Sequence, residues 1–84
     1  MLTWTSKSWE DFTLLGDNKT IRKVIKLIKD IERNGYTGIG KPEPLRGDFS
    51  GYWSRRINSK DRIVYKIEGD DIIIVQCGTH YGDK

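Results

Sequence analysis

Four kinds of side chain in this sequence have the chemistry to break an RNA phosphodiester without a metal. Such a cleavage needs a base for the 2′-hydroxyl proton, cations for a crowded phosphate, and an acid for the departing 5′ oxygen. Glu43 lies between Pro42 and Pro44, whose fixed backbone torsions restrict the loop and hold its carboxylate in one place. It is the candidate base. His80 is the only histidine, and an imidazole with an ordinary pKa of about 6.5 suits a general acid near neutral pH. Arg46, Arg56 and Arg62 are forked donors matched to phosphate oxygens, and Tyr52 or Tyr81 offers a ring for a base to stack on.

Each of these residues also has an ordinary reading. A carboxylate between prolines is commonly a solvated loop residue, a histidine near a chain end a capping imidazole, and the pair Arg55-Arg56 an exposed sheet face. Trp4, Trp9 and Trp53 read as core, and Cys77 as a small buried hydrophobe. One Cys and one His can build neither an internal disulfide nor a structural zinc site, so no metal or cofactor is expected and the reducing cytoplasm is the expected compartment.

Composition narrows the classes further. Eighty-four residues, 36% hydrophobic and 32% charged, make a single domain over 1–84 with a thin core, too small to enclose a nicotinamide or a flavin. Chemistry therefore belongs on a surface. Fifteen Lys and Arg against twelve Asp and Glu give a net charge of +3, compatible with a polyanionic partner. No apolar run approaches the roughly 18 residues of a membrane span, and the N-terminus lacks a signal pattern.

The elements that must position these residues follow from periodicity and breakers. Residues 2–5 have strand composition and run into Ser6, read as an N-cap for a short helix to about Leu15. Gly16-Asp17-Asn18 breaks it. Ile21, Val24, Ile25, Ile28 and Ile31 then follow three- and four-residue spacings, which predicts a second helix ending near Asn34-Gly35. From Gly35 to Gly51 the breakers are too frequent for regular structure, and Tyr36, Ile39, Leu45 and Phe49 are expected to pin this long loop down. Residues 52–57, 62–67 and 72–79 read as three strands of an antiparallel meander.

Alternation along those strands separates two faces. The odd positions Trp53, Ile57, Ile63, Tyr65, Ile67, Ile73, Val75 and Cys77 form an apolar face, with Arg55 its one charged member. The even positions, Tyr52, Ser54, Arg56, Arg62, Val64, Lys66, Ile72, Ile74, Gln76 and His80, form a wet face that is cationic toward one end. The expected fold is α+β: two N-terminal helices packed on one face of an antiparallel sheet. For Arg56, Arg62 and His80 to share a face, facing residues across both hairpins must have numbers with an even sum.

Four ordered stretches carry a family resemblance: Gly40-Lys41-Pro42-Glu43-Pro44-Leu45, Ser50-Gly51-Tyr52-Trp53-Ser54-Arg55-Arg56-Ile57, Asp61-Arg62-Ile63-Val64-Tyr65, and His80-Tyr81. With Trp4-Thr5 and Ser8-Trp9-Glu10-Asp11 at the start, nearly the whole chain resembles the YoeB/Txe family of bacterial toxins, within the RelE-like superfamily and its microbial-ribonuclease-like fold. The resemblance implies a ribosome-dependent endoribonuclease that cuts mRNA in the ribosomal A site and is silenced by a YefM/Axe-type antitoxin. It further implies operator DNA binding through the antitoxin complex, and a homodimer as a possible state.

Carried over by motif, Glu43 is the general base, His80 the general acid, Arg62 the main phosphate stabiliser and Tyr81 an orienting or substrate-contacting residue. Arg56 lies near the phosphate, while Lys41 and Arg46 add contacts to the RNA backbone. Relatives commonly end at the His-Tyr pair, whereas Gly82-Asp83-Lys84 follow here, and Gly82 lets that tail turn away. The alternative of another class is a non-catalytic module that holds nucleic acid or an acidic peptide on the basic sheet face by charge alone.

Overall fold

The computed structural model describes residues 1–78, so His80 and Tyr81 lie outside the described residues. The elements are β1 (Leu2–Trp4), α1 (Ser6–Thr13), α2 (Asn18–Asn34), β2 (Glu43–Pro44), a 3-10 turn at Gly47–Phe49, β3 (Trp53–Arg56), β4 (Arg62–Glu68) and β5 (Asp71–Gly78). The sheet order is β1-β5-β4-β3-β2. The meander β3-β4-β5 is antiparallel as expected, but β1 lies parallel to β5, pairing Leu2 with Ile72 and Trp4 with Ile74. The loop expected to be wholly irregular also contributes β2, a two-residue edge strand.

Local sequence explains both helices. α1 is capped by Thr5, whose hydroxyl accepts from the Ser8 N–H at 3.2 Å, rather than by Ser6, and it stops at Thr13. It lies along β5 where the short β1 gives out. There the buried Ser8 Oγ is 2.7 Å from the Ile74 carbonyl, and the Asp11 carboxylate accepts from the Cys77 N–H at 3.2 Å, so an otherwise open strand edge is satisfied. α2 starts on Asp17, which accepts from the Thr20 N–H at 2.7 Å, and closes on Gly35 at φ 68°.

The inward stripe of α2 is Val24, Leu27, Ile28 and Ile31, rotated from the expected one: Leu27 is fully buried and Ile25 is 43% exposed. Spacings of three, one and three centre the stripe between residues 24 and 31, which leaves Ile25 about 100° off that centre line at the rim. These side chains pack on Ile57, Ile63, Tyr65, Ile72, Ile74 and Cys77. By transfer alone, burying Leu27 contributes about 2 kcal/mol.

The expected even-sum register holds across β3–β4, from Trp53 opposite Tyr65 to Arg56 opposite Arg62. Across β4–β5 it holds only as far as Val64 opposite Gln76. Next, Tyr65 faces Ile74, so Val75 is left opposite no residue as the extra member of a bulge. The bulge reverses parity within β5. Cys77 keeps its odd-numbered place in the core, but it is Ile72 and Ile74, not Ile73 and Val75, that join it there. Nor is the centre of the other face wet: Ser54 and Val64 are fully buried and Gln76 is 8% exposed.

Candidate active site

Glu43, on β2, faces Ser54 on β3, which faces Val64 on β4, which faces Gln76 on β5, so these four residues form one row across the sheet face that α2 does not cover. The adjacent row is Arg56, Arg62 and Gly78. The Arg62 Nη1 and Glu43 Oε1 approach to 3.7 Å, reaching over the small Ser54 between their strands. Glu43 is 53% exposed and Arg62 20% exposed, with the Arg62 Nη1 that faces Glu43 itself buried. Thus the structure brings Glu43, Arg56 and Arg62 to one surface. Arg56 and Arg62 stand directly opposite each other, a like-charge pair that costs stability unless an anion sits between them.

The segment that presents Glu43 is held at both ends by β3. The Arg56 N–H donates to the Gly40 carbonyl at 2.7 Å and the Leu45 N–H donates to the Tyr52 carbonyl at 2.9 Å, with Pro42 and Pro44 limiting motion between. Lys41, exposed, has φ 50°, a conformation costly for a residue with a Cβ and concentrated at functional sites. Arg46 is exposed just before the 3-10 turn. Tyr52 is half-buried with its ring already in use: Lys66 Nζ lies 5.0 Å from its centroid, and Phe49 meets it edge-on at 6.2 Å. Lys66 thus takes one face of the Tyr52 ring. Glu68, 2.8 Å away, raises the Lys66 pKa and keeps it cationic.

Sequence reasoning left Arg55 as an unexplained charge among apolar positions. Its side chain is fully buried and every N–H of its guanidinium donates. Nε donates to the Tyr65 hydroxyl at 3.1 Å, Nη1 to Asp30 and to the Ile39 carbonyl at 3.0 Å, and Nη2 to the Gly35 and Thr37 carbonyls at 2.8 and 2.6 Å. The loop before Glu43 is thus pinned by a buried cation more than by the expected apolar side chains, and Ile39 is 38% exposed. Of those side chains, Tyr36 does stack on Trp53 at 4.5 Å. The hydrogen bond from Arg55 holds the Asp30 carboxyl below its usual pKa, and burial pushes the Tyr65 phenol up. A charge at a core position was the available signal.

Two further expectations change. Trp9 is 52% exposed, resting edge-on against Trp4 at 5.5 Å rather than in the core. Cys77 is buried as expected, and burial followed by nearby Asp11 pushes its thiol pKa up to about 12, so it supplies no thiolate. Among the described residues no three of His, Cys, Asp and Glu gather as a metal site, and no helix is long and apolar enough to cross a membrane.

Residues 4–81 match the family described as the YoeB-like toxin of bacterial type II toxin-antitoxin systems. A toxin YoeB of Streptomyces coelicolor is 49% identical, over 95% of this chain and 98% of its own. Among solved structures, a heterotetrameric YoeB-YefM toxin-antitoxin complex from Staphylococcus aureus contains a chain 40% identical with a TM-score of 0.89, covering 96% of this chain and 97% of that one. A YoeB dimer from Staphylococcus aureus is 41% identical with a TM-score of 0.87, covering 95% of both chains. Motifs, two-helix α+β architecture and full-length similarity agree: the chain belongs to the YoeB family of type II toxins.

Proposed function

We propose that this toxin is a ribosome-dependent endoribonuclease that cleaves mRNA in the A site. The observation that carries the reading is the approach of Glu43 and Arg62 to 3.7 Å beside Arg56, on the sheet face that α2 does not cover. In the proposed reaction Glu43 takes the 2′-hydroxyl proton and the freed oxygen attacks the adjacent phosphorus. Arg62 and Arg56 offset the charge gathering on the phosphoryl oxygens, and His80 gives a proton to the leaving 5′ oxygen. The bond to the 5′ oxygen breaks, leaving a 2′,3′-cyclic phosphate intermediate and a 5′-hydroxyl. Lys41 and Arg46 contact the flanking backbone, and Tyr81 or Tyr52 positions a base. No metal or cofactor takes part.

The relatives support two of the proposed partners, the antitoxin and a second copy of the chain. A YefM/Axe-type antitoxin is the proposed inhibitor, a pairing supported by the YoeB-YefM complex from Staphylococcus aureus, and operator DNA binding through such a complex is proposed from the family resemblance alone. A homodimer is the proposed free state, and the cytoplasm, where translating ribosomes are, the proposed compartment. Primer extension on mRNA from programmed ribosomes tests the reaction. Wild type leaves a defined cut, whereas Glu43→Gln and His80→Gln abolish it with unchanged melting temperatures. Undiminished cutting by both variants overturns the mechanism, and salt-sensitive RNA binding without product leaves only the binding module.

A further inference from the structure

The net positive charge of this protein is carried by α2, away from the face where Arg56 and Arg62 stand beside Glu43. Residues 18–34, the span of α2, hold Lys19, Arg22, Lys23, Lys26, Lys29 and Arg33 against Asp30 and Glu32, four net positive charges. The whole chain carries +3, so everything outside α2 sums to one negative charge. All six cations are exposed, and none is ion-paired within the described residues.

Steps of three and four place the six on one side of the helix, away from Val24, Leu27, Ile28 and Ile31. Asp30, the one acid within that stripe, is engaged by Arg55, Asn34 and the Ile39 N–H. Lys19 with Lys23, Arg22 with Lys26, and Lys29 with Arg33 are like charges four apart, each costing the helix a few tenths of a kcal/mol (~0.2–0.5). The stripe is a standing cost that a polyanion would offset.

We infer that this stripe of α2 is a second RNA-binding surface, which grips the phosphate backbone of folded RNA without regard to sequence. The inference rests on the proposed action on ribosome-bound mRNA. From Lys19 to Arg33 the stripe spans ~21 Å of helix, a length over which a duplex presents about a dozen phosphates. α2 has no aromatic residue to stack on a base. Two open grooves run beside it, of about 710 Å³ and about 470 Å³, and share Arg22 and Lys26 in their walls.

As apolar anchors the larger groove offers only Ile57, 6% exposed, and the smaller one Ile25 and Ile39 at 43% and 38%, against six exposed cations along the helix, so the chemistry favours a polyphosphate chain over an acidic helix. Since α2 packs on the sheet face opposite Glu43 and Arg62, the strand being cut and the RNA held by α2 are different segments.

The test compares wild type with the variant Lys23→Gln, Lys26→Gln, Lys29→Gln, Arg33→Gln, in which glutamine preserves helix propensity. The probe is a labelled 16-base-pair RNA duplex of mixed sequence, titrated across salt concentrations. The expected result is at least a tenfold loss of duplex affinity, with the slope of log affinity against log salt reduced by about three. On programmed ribosomes cleavage at low ribosome concentration falls at least tenfold, the saturating rate stays within about twofold, and circular dichroism is unchanged. Equal affinity and slope overturn the inference, as does loss of binding to poly-glutamate with duplex binding intact. If wild type makes no cut but duplex binding still depends on the stripe, the endonuclease reading fails and this one stands. If both proteins cut and bind equally, the reverse holds.

Discussion

Replacing Arg55 by lysine keeps the charge but not the fork. The guanidinium donates five hydrogen bonds from inside the protein, whereas an ammonium group has three donors on one atom, so two of the acceptors at Tyr65, Asp30, Ile39, Gly35 and Thr37 lose theirs. The Asp30 carboxylate keeps Asn34 and the Ile39 N–H, and the Gly35 carbonyl keeps the Tyr65 hydroxyl, but a hydrogen bond from a charged donor contributes about 1.5–3 kcal/mol, so losing two costs about 3 kcal/mol or more. An 84-residue domain has about 4–13 kcal/mol in total. Urea unfolding of purified Arg55→Lys should therefore show a midpoint lower by about 1 M or more. Cleavage should fall even where the variant remains folded, because the loop ending at Glu43 is no longer pinned.

Acid titration checks the same cluster. Asp30 has its carboxyl held below the ordinary 3.8 by Arg55, so its contribution is present above that value and lost as pH drops below it. Wild type should lose stability below about pH 4 more steeply than Asp30→Asn. A midpoint shift under about 0.5 M for Arg55→Lys would refute the reasoning, since the fork would then contribute no more than its charge.

Gly38→Ala should destabilise strongly, because at φ 122° an added Cβ would overlap the Asp30 carboxylate, while Gly47→Ala, at φ 65° with nothing within 4 Å, should cost only about 1 kcal/mol in thermal unfolding. Lys41→Gly should relieve the strain at φ 50° without lowering the melting temperature, yet reduce cleavage by removing a cation. Cys77 should resist iodoacetamide at pH 8 until the chain is unfolded. Because its folded pKa lies near 12 and its ordinary one at 9.0, the thiolate forms first in the unfolded chain. Stability should then fall by about 1.4 kcal/mol by pH 10, in denaturant melts of wild type but not of Cys77→Ala.

Local pattern was sufficient for the presence, type and order of both helices and the three-stranded meander, because helical and strand periodicity and glycine breakers are properties of neighbouring residues. Short distinctive stretches also singled out Glu43, Arg56 and Arg62, which the structure brings to one surface, and the requirement that the arginines share a face gave the even-sum register of β3–β4. Three features were decided by contacts between distant segments. The bulge at Val75, which exchanged Ile73 and Val75 for Ile72 and Ile74 in the core, depends on how β5 meets β4 and α1, and nothing in the β5 alternation marks it. The parallel placement of β1 beside β5 joins the two ends of the described chain, a pairing across some 70 residues that no local rule encodes. The role of Arg55 required its five acceptors, drawn from α2, the following loop and β4, to converge on one buried position. Residue type set what each side chain is able to do, and long-range packing set which of them meet.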